Sequence, residues 1–137
     1  MAKELESQMT AEYRADVRTV WAVVTDNSDS SWRSDLDRIE CADALHFTEY
    51  TQKGEATHFA ITAKEDCKLY AFDLENPLLT GKWTGEFVPL PDGGTRIIFT
   101  ERVKIRNPIV ALAARMTGML RKMQDAYAAD LRRRLGE

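Results

Sequence analysis

From Glu6 to Arg14 the chain alternates: Met9, Ala11 and Tyr13 are apolar and their neighbours largely polar, the period of two that a strand with one buried face produces. The period then changes. Val17, Val20, Trp21 and Val24 recur at i, i+3, i+4 and i+7 behind Asp16, whose short carboxylate suits the free amides of a first helical turn, so a short amphipathic helix is predicted. The following run, Asp26-Asn27-Ser28-Asp29-Ser30-Ser31, consists of residues that bond their own backbone. It predicts a turn and then a second short helical piece around Trp32-Arg33.

The middle of the chain is strand-like from Leu36 to Val103, broken by turn chemistry at Lys53-Gly54, Glu75-Asn76-Pro77 and Pro91-Asp92-Gly93-Gly94. Strands are predicted near Leu36–Ala42, Leu45–Tyr50, Ala56–Lys64, Lys68–Leu74, Gly81–Val88 and Thr95–Val103. Links this short force antiparallel neighbours, since parallel pairing needs a long crossover. With the first strand, the sheet has about seven.

Asn107-Pro108 opens the last element: Asn can cap, and Pro at the first helical position loses no hydrogen bond. Ile109, Leu112, Ala113, Met116, Leu120, Met123, Tyr127 and Leu131 fall in one stripe, opposite Arg115, Lys122, Asp125 and Arg132. This predicts one helix to about Leu135, roughly 40 Å long at 1.5 Å per residue, with one face buried throughout. Arg132-Arg133-Arg134 sits where cations favour the helix dipole and reads as a solvated helix end.

Composition narrows the class. The 137 residues suit one domain spanning 1–137, and 44% hydrophobic with 30% charged residues excludes disorder and a membrane span. A net charge of −3 offers no overall pull toward nucleic acid or an anionic bilayer. The opening residues lack a signal-like apolar run, and Cys41 and Cys67 form no metal-like spacing, which points to a reducing cytoplasmic compartment.

Val20-Trp21, Trp32-Arg33-Ser34-Asp35, Gly81-Lys82-Trp83, Gly94-Thr95, Thr100-Glu101 and Asn107-Pro108-Ile109, in this order of elements, resemble the polyketide cyclase/dehydrase and START-like (SRPBCC) superfamily from Met9 to Leu135. The resemblance implies an α+β helix-grip fold: a seven-stranded curved antiparallel sheet wrapped around a long C-terminal helix, with two short helices after the first strand. It also implies a hydrophobic cavity between sheet and helix. A sheet that curves around one helix is hard to fill with helix side chains alone, so its concave side either collapses or holds a ligand.

Strand parity assigns the candidate cavity residues. Phe47 and Glu49 share one face, as do Ile97, Phe99, Glu101 and Val103, so inward aromatics carry Glu49 and Glu101 inward. A buried carboxylate is either neutralised, with a raised pKa suited to acid catalysis or hydrogen-bond donation, or paired with an arginine such as Arg33 or Arg38. Trp32, Phe72 and Trp83 are the further aromatic candidates, and Gly81 and Gly85 on the face of Trp83 leave room for a ligand or for another ring. Met116, Met119, Leu120 and Met123 are the helix candidates, either ligand-facing or core filler.

His46 and His58 oppose the apolar faces of their strands, and no HExxH, CxxC, Walker or GxGxxG pattern is present. No metal or cofactor is implied. The leading expectation is a non-enzymatic binder of a small hydrophobic, lipid- or polyketide-like molecule. The alternatives are a cyclase/dehydratase-type enzyme using a pocket Glu, aided by Tyr70 or Tyr127, and a protein-interaction domain with a collapsed interior. Oligomeric state is not legible. A mouth is expected among the loops at Asp26–Ser31, Gly54 and Glu75–Thr80.

Overall fold

The first strand, β1 (Glu4–Tyr13), alternates as expected, with Ser7, Met9, Ala11 and Tyr13 turned inward. The computed structural model describes residues 4–137, so the first three residues of the opening stretch lie outside the described part. Helix α1 (Val17–Thr25) begins where Asp16 accepts from the Thr19 amide at 2.8 Å, and it buries Val20, Trp21 and Val24.

The second short helix expected around Trp32-Arg33 does not form. The Asp26 and Asp29 carboxylates accept from the amides of Ser28 and Ser31, and the Ser34 amide donates to Asp130 at 2.8 Å. Side chains thus take the donors a helix would have used, leaving tight turns.

Six further strands follow: β2 (Leu36–Cys41), β3 (His46–Thr51), β4 (Ala56–Glu65), β5 (Leu69–Glu75), β6 (Leu79–Pro89) and β7 (Thr95–Ile105). They form one antiparallel sheet in the order β1-β7-β6-β5-β4-β3-β2. Register shifts between Leu36 and Arg38 and between Ile61 and Ala63 interrupt its ladders, and irregularities of this kind increase twist and bend. Close approach also shapes β6, where a Cβ on Gly81 would lie 2.7 Å from the Arg102 carbonyl oxygen and 2.8 Å from Val103 Cγ1.

The single long C-terminal helix predicted from the stripe is broken into α2 (Pro108–Thr117) and α3 (Met119–Arg134). The break is Gly118, at φ 66° and ψ 36°. Glycine reaches this left-handed conformation without steric cost, and its amide donates back to Ala114 and Arg115 as helix C-caps do. Helix α3 buries Leu120, Gln124, Ala128 and Leu131 against the sheet. Helix α2 does not follow suit: Ile109, Leu112 and Met116 are 79%, 58% and 78% exposed, and Ala114 is its one buried residue. The expectation of an apolar face buried throughout therefore holds for Leu120 and Leu131 of α3, but not for Met123, which is exposed, and it fails for α2, because a helix restarted after a left-handed residue has a new axis.

Polar contacts lock α3 in place. Ser7 Oγ donates to Gln124 Oε1 at 2.7 Å, Gln124 Nε2 returns a bond to the Ser7 carbonyl at 2.9 Å, and Tyr13 Oη donates to the Ala128 carbonyl at 3.0 Å. Burial pushes the Tyr13 hydroxyl up to about 12. The Asp130 carboxyl would be raised by burial, but the Ser34 and Arg133 hydrogen bonds outweigh that and hold it below its ordinary value. The terminal arginines are paired more than the solvated reading anticipated: Arg133 bonds Asp130 and Arg134 bonds Asp29, each at 2.8 Å. No helix among the described residues is long and apolar enough to cross a membrane.

Gly81→Ala should lower the unfolding free energy by about 1–3 kcal/mol, because the new methyl meets backbone and not only a movable side chain. Urea denaturation checks this, and an unchanged midpoint would show that β6 and β7 separate there without cost.

Candidate functional site

The concave face carries one row of aromatic rings across successive strands. Phe47 on β3 stacks on Phe59 of β4 at 4.8 Å, Phe59 meets Phe72 of β5 edge-on at 5.0 Å, and Phe72 stacks on Trp83 of β6 at 4.9 Å. Trp83 continues to Phe99 of β7 at 5.7 Å, which meets Tyr127 of α3 at 5.3 Å. Cross-strand pairs of this kind are the natural product of a period of two on neighbouring strands. A Cβ at Gly85 would lie 2.6 Å from Trp83 Cη2. The space left by that glycine is thus filled by the ring of Trp83 itself, not by a ligand or a second ring.

Between this row and α3 lies a cavity of about 570 Å³. Its wall includes Phe72, Trp83, Phe99, Met119, Leu120 and, toward the outside, the exposed Met123. Apart from the exposed Lys122 at the edge, the charged groups of the lining gather in one cluster. Arg33 enters from the turn before β2 with its side chain 14% exposed, and Glu49 on β3 is 15% exposed. The Arg33 fork is taken up by Asp35, at 3.1 Å from Nε and 3.0 Å from Nη2, so Glu49 receives one longer contact of 3.4 Å from Nη1. The guanidinium also lies over the Tyr127 ring at 4.9 Å, a favourable cation–π geometry.

Electrostatics follow from that sharing. Burial works against the Arg33 charge, but Glu49 and Asp35 outweigh it and hold the guanidinium protonated. Burial lifts the Glu49 carboxyl above its ordinary value; the single contact from Arg33 opposes this incompletely and Asp35 adds to it. Glu101 stands opposite Trp83 in the β6–β7 ladder and faces the same cavity. Among the described residues it has no ion pair. Burial, reinforced by the charge of Glu49 and opposed by Arg33, pushes its carboxyl to about 7. Burial also raises the Tyr127 and Tyr70 hydroxyls; the latter accepts from Asn27 Nδ2 at 3.0 Å.

The cavity therefore offers a fixed cation, a carboxyl that is partly protonated near neutral pH, and neutral phenols, all beside an apolar wall. That set can bind a polar end group, or give and take a proton. Among the described residues no three His, Cys, Asp or Glu side chains gather as a metal ion would require. His46 lies outside the cavity on Asp43, and His58 on Thr48.

Of the candidates named from sequence, Glu49, Phe72, Trp83, Phe99, Glu101, Met119, Leu120 and Met123 line the cavity; Trp32 and Met116 do not. Trp32 is buried behind Tyr127, edge-on at 5.3 Å. Met116 faces outward from α2, on the far side of the Gly118 break. Arg33, considered from sequence as a partner for Glu49 or Glu101, proves to be on the cavity wall. It lies in a turn, where strand parity assigns no face; its place in Trp32-Arg33-Ser34-Asp35 was the available signal. Arg38, the other partner considered, instead bonds Asp37 and Glu40 outside.

The raised Glu101 carboxyl has a stability consequence with a definite sign. The folded state holds this proton more tightly than the unfolded chain, so stability from the group is full below about pH 4.5 and is lost as pH rises to about 7. Glu101→Gln should therefore leave stability unchanged near pH 4 and raise it by about 1–3 kcal/mol at pH 8. Urea titrations at the two pH values measure this, and a difference independent of pH would overturn the assignment.

Solved structures share this fold at low sequence identity. A conserved protein from Geobacillus kaustophilus superposes with a TM-score of 0.83 at 16% identity, covering 96% of this chain and 95% of that one. The Zhui aromatase/cyclase from Streptomyces sp. R1128 superposes with 0.79 at 12% identity, covering 94% and 92%. A START superfamily protein from Mycobacterium smegmatis gives 0.69 at 15% identity, covering 92% and 98%. A search of curated proteins returns no match. Residues 4–136 match the family described as polyketide cyclase / dehydrase and lipid transport, and with that match across nearly its whole length the chain belongs to this family.

Proposed function

We propose that the protein binds a small, largely apolar, lipid- or polyketide-like molecule in the cavity between the sheet and α3. The polar end of the ligand lies at Arg33, Glu49 and Glu101, and its apolar body lies along Phe72, Trp83, Phe99, Met119 and Leu120. The observation that carries this is the lining: about 570 Å³ of space with one ionisable cluster on an otherwise mainly apolar wall. An apolar wall supplies affinity, while one cluster supplies orientation. A cavity of this size disfavours the collapsed-interior reading. The two free cysteines, Cys41 and Cys67, suit a reducing, cytoplasmic setting, and residues 1–137 work as one domain without a cofactor.

One feature favours a catalytic variant of the same reading. A carboxyl with a pKa of about 7 facing the cavity is suited to general acid–base work at neutral pH, as a cyclisation or dehydration requires.

Native mass spectrometry of the gently purified protein, followed by thermal shift across a panel of fatty acids, quinones and polyphenols, tests the binder. A ligand at about a hundredfold its Kd should raise Tm by roughly 10 °C. A clean apo mass with no shift across the panel would remove this reading. If a bound compound is turned over, Glu101→Gln should slow it by about 10²–10⁴-fold with binding kept, whereas unchanged turnover in both Glu101→Gln and Glu49→Gln would exclude acid–base catalysis by these groups.

A further inference from the structure

Helix α2 is assembled with its larger side chains outward. Asn107 caps its start, Gly118 ends it, and the residue turned to the sheet is Ala114, while Ile109, Leu112 and Met116 face solvent. Two more exposed apolar residues accompany them: Met123 after the Gly118 break and Leu78 at the tip of the β5–β6 hairpin. The hairpin tip is tied to the start of α2, because the Arg106 amide donates to the Leu78 carbonyl at 3.1 Å. The hairpin tip and the start of β6 border the cavity through Asn76 and Leu79, and the end of α2 and the first turns of α3 border it through Thr117, Met119, Lys122 and Met123. The exposed apolar surface and the rim of the cavity are thus continuous.

Cations predominate in the segment that forms this surface. From Arg102 to Gln124 the chain carries six Lys and Arg and no Asp or Glu, against a net charge of −3 for the whole. Arg102 and Lys104 alternate with the inward Glu101, Val103 and Ile105 and stand on the outer face of the sheet, whereas Arg115 and Lys122, on the side of α2 and the cavity, have no ion pair among the described residues. Arg106 and Arg121 pair with Glu75 and Asp125, all exposed, and such exposed pairs are easily exchanged. Two further opposing charges are Glu4 and Glu6 of β1, which line the groove between α2 and that strand together with Leu5, Ala111 and Arg115.

We infer that α2, with Leu78 beside it, is an interfacial helix that seats the protein on an anionic lipid bilayer with the cavity mouth at the membrane surface. An apolar helix face flanked by cations is what such a surface recognises: the apolar side chains enter the headgroup–acyl boundary while Arg and Lys remain with the anionic headgroups. With ten residues, α2 is too short to span and lies in the plane. A second copy of the chain is a poorer occupant. A two-fold contact through this face sets Arg115 and Lys122 against their own copies, and a helix about 15 Å long and 10 Å wide covers about 150 Å², far below the ~800 Å² per partner of a stable dimer. Seated in this way, the mouth exchanges an apolar ligand with the bilayer without passing it through water; this consequence rests on the binding reading above, and the docking itself does not.

Co-sedimentation with phosphatidylcholine vesicles, with and without phosphatidylglycerol, tests the docking. Binding should be at least tenfold greater with phosphatidylglycerol and should fall as salt rises. The Ile109→Asp, Met116→Asp double variant should lose at least tenfold of it at unchanged Tm, since both side chains are exposed, and Arg115→Gln should flatten the salt dependence. Equal binding to both vesicle types, no binding to either, or binding indifferent to the double variant would overturn the inference. So would a concentration-dependent dimer in sedimentation velocity that the double variant abolishes, because a second copy would then cover the face. Glu101→Gln, on the cavity wall, should dock as the parent does. Vesicle binding without any cavity ligand would leave the docking standing and remove the binding reading, while a cavity ligand without vesicle binding would do the reverse.

Discussion

The buried guanidinium of Arg33 is the contact on which the interior depends. It comes from a turn, not from the sheet, yet it touches three separate parts of the molecule: Asp35 beside it, Glu49 on β3 and the Tyr127 ring on α3. An arginine suits the position because it stays protonated where a lysine would give up its proton, and its planar fork satisfies a carboxylate while its face stacks on a ring. Removing a charge from water is costly unless every donor finds a partner. The same constraint explains the local backbone. Ser34, next in sequence, bonds Asp130 of α3 through both its amide and its hydroxyl at 2.8 Å, so the turn that delivers Arg33 is itself anchored to the helix that Arg33 packs against.

That anchoring gives the cavity its chemistry. Arg33 is shared unequally, so Glu49 is left incompletely neutralised, and the charge of Glu49 in turn contributes to the raised pKa of Glu101. In a flat sheet these two carboxylates would be far apart: β3 and β7 are separated by three strands in the order of the sheet, about 19 Å at the usual strand spacing. They belong to one cavity because the sheet curls around α3. The aromatic row lines the inner surface of that curl, with Phe47, Phe59, Phe72, Trp83 and Phe99 on five successive strands.

Gly118 separates two regimes of the C-terminal segment. After it, α3 is held by Gln124, Ala128 and Asp130 to β1 and to the turn before β2. Before it, α2 has Asn107 as its cap and mainly small residues toward the sheet. A stripe such as Ile109, Leu112, Met116, Leu120, Met123 reads as one buried face only if the helix axis is continuous. Sequence periodicity records angles about an axis, not changes in the direction of that axis. Met116 and Trp32 were misplaced for related reasons: the first lies before the break, and the second sits in a turn where neither period applies.

Strand positions, inward parity and helix caps were legible because each depends on neighbours within a few residues. Alternation turned Glu49 and Glu101 inward with their aromatic neighbours, Asp16 and Asn107 marked the helix starts, and the turn residues bounded the hairpins. The family resemblance extended this to the curled architecture that the structure displays. What remained for the tertiary structure were relations between distant segments: the meeting of Arg33 with Glu49 and Tyr127, the electrostatic coupling of Glu49 to Glu101, the filling of the Gly85 space by Trp83, and the outward turn of α2. Local steric and hydrogen-bonding preferences are set residue by residue and can be read from the chain, whereas burial, charge coupling and which face of a helix meets solvent depend on the curl of the sheet and on the axis chosen at Gly118.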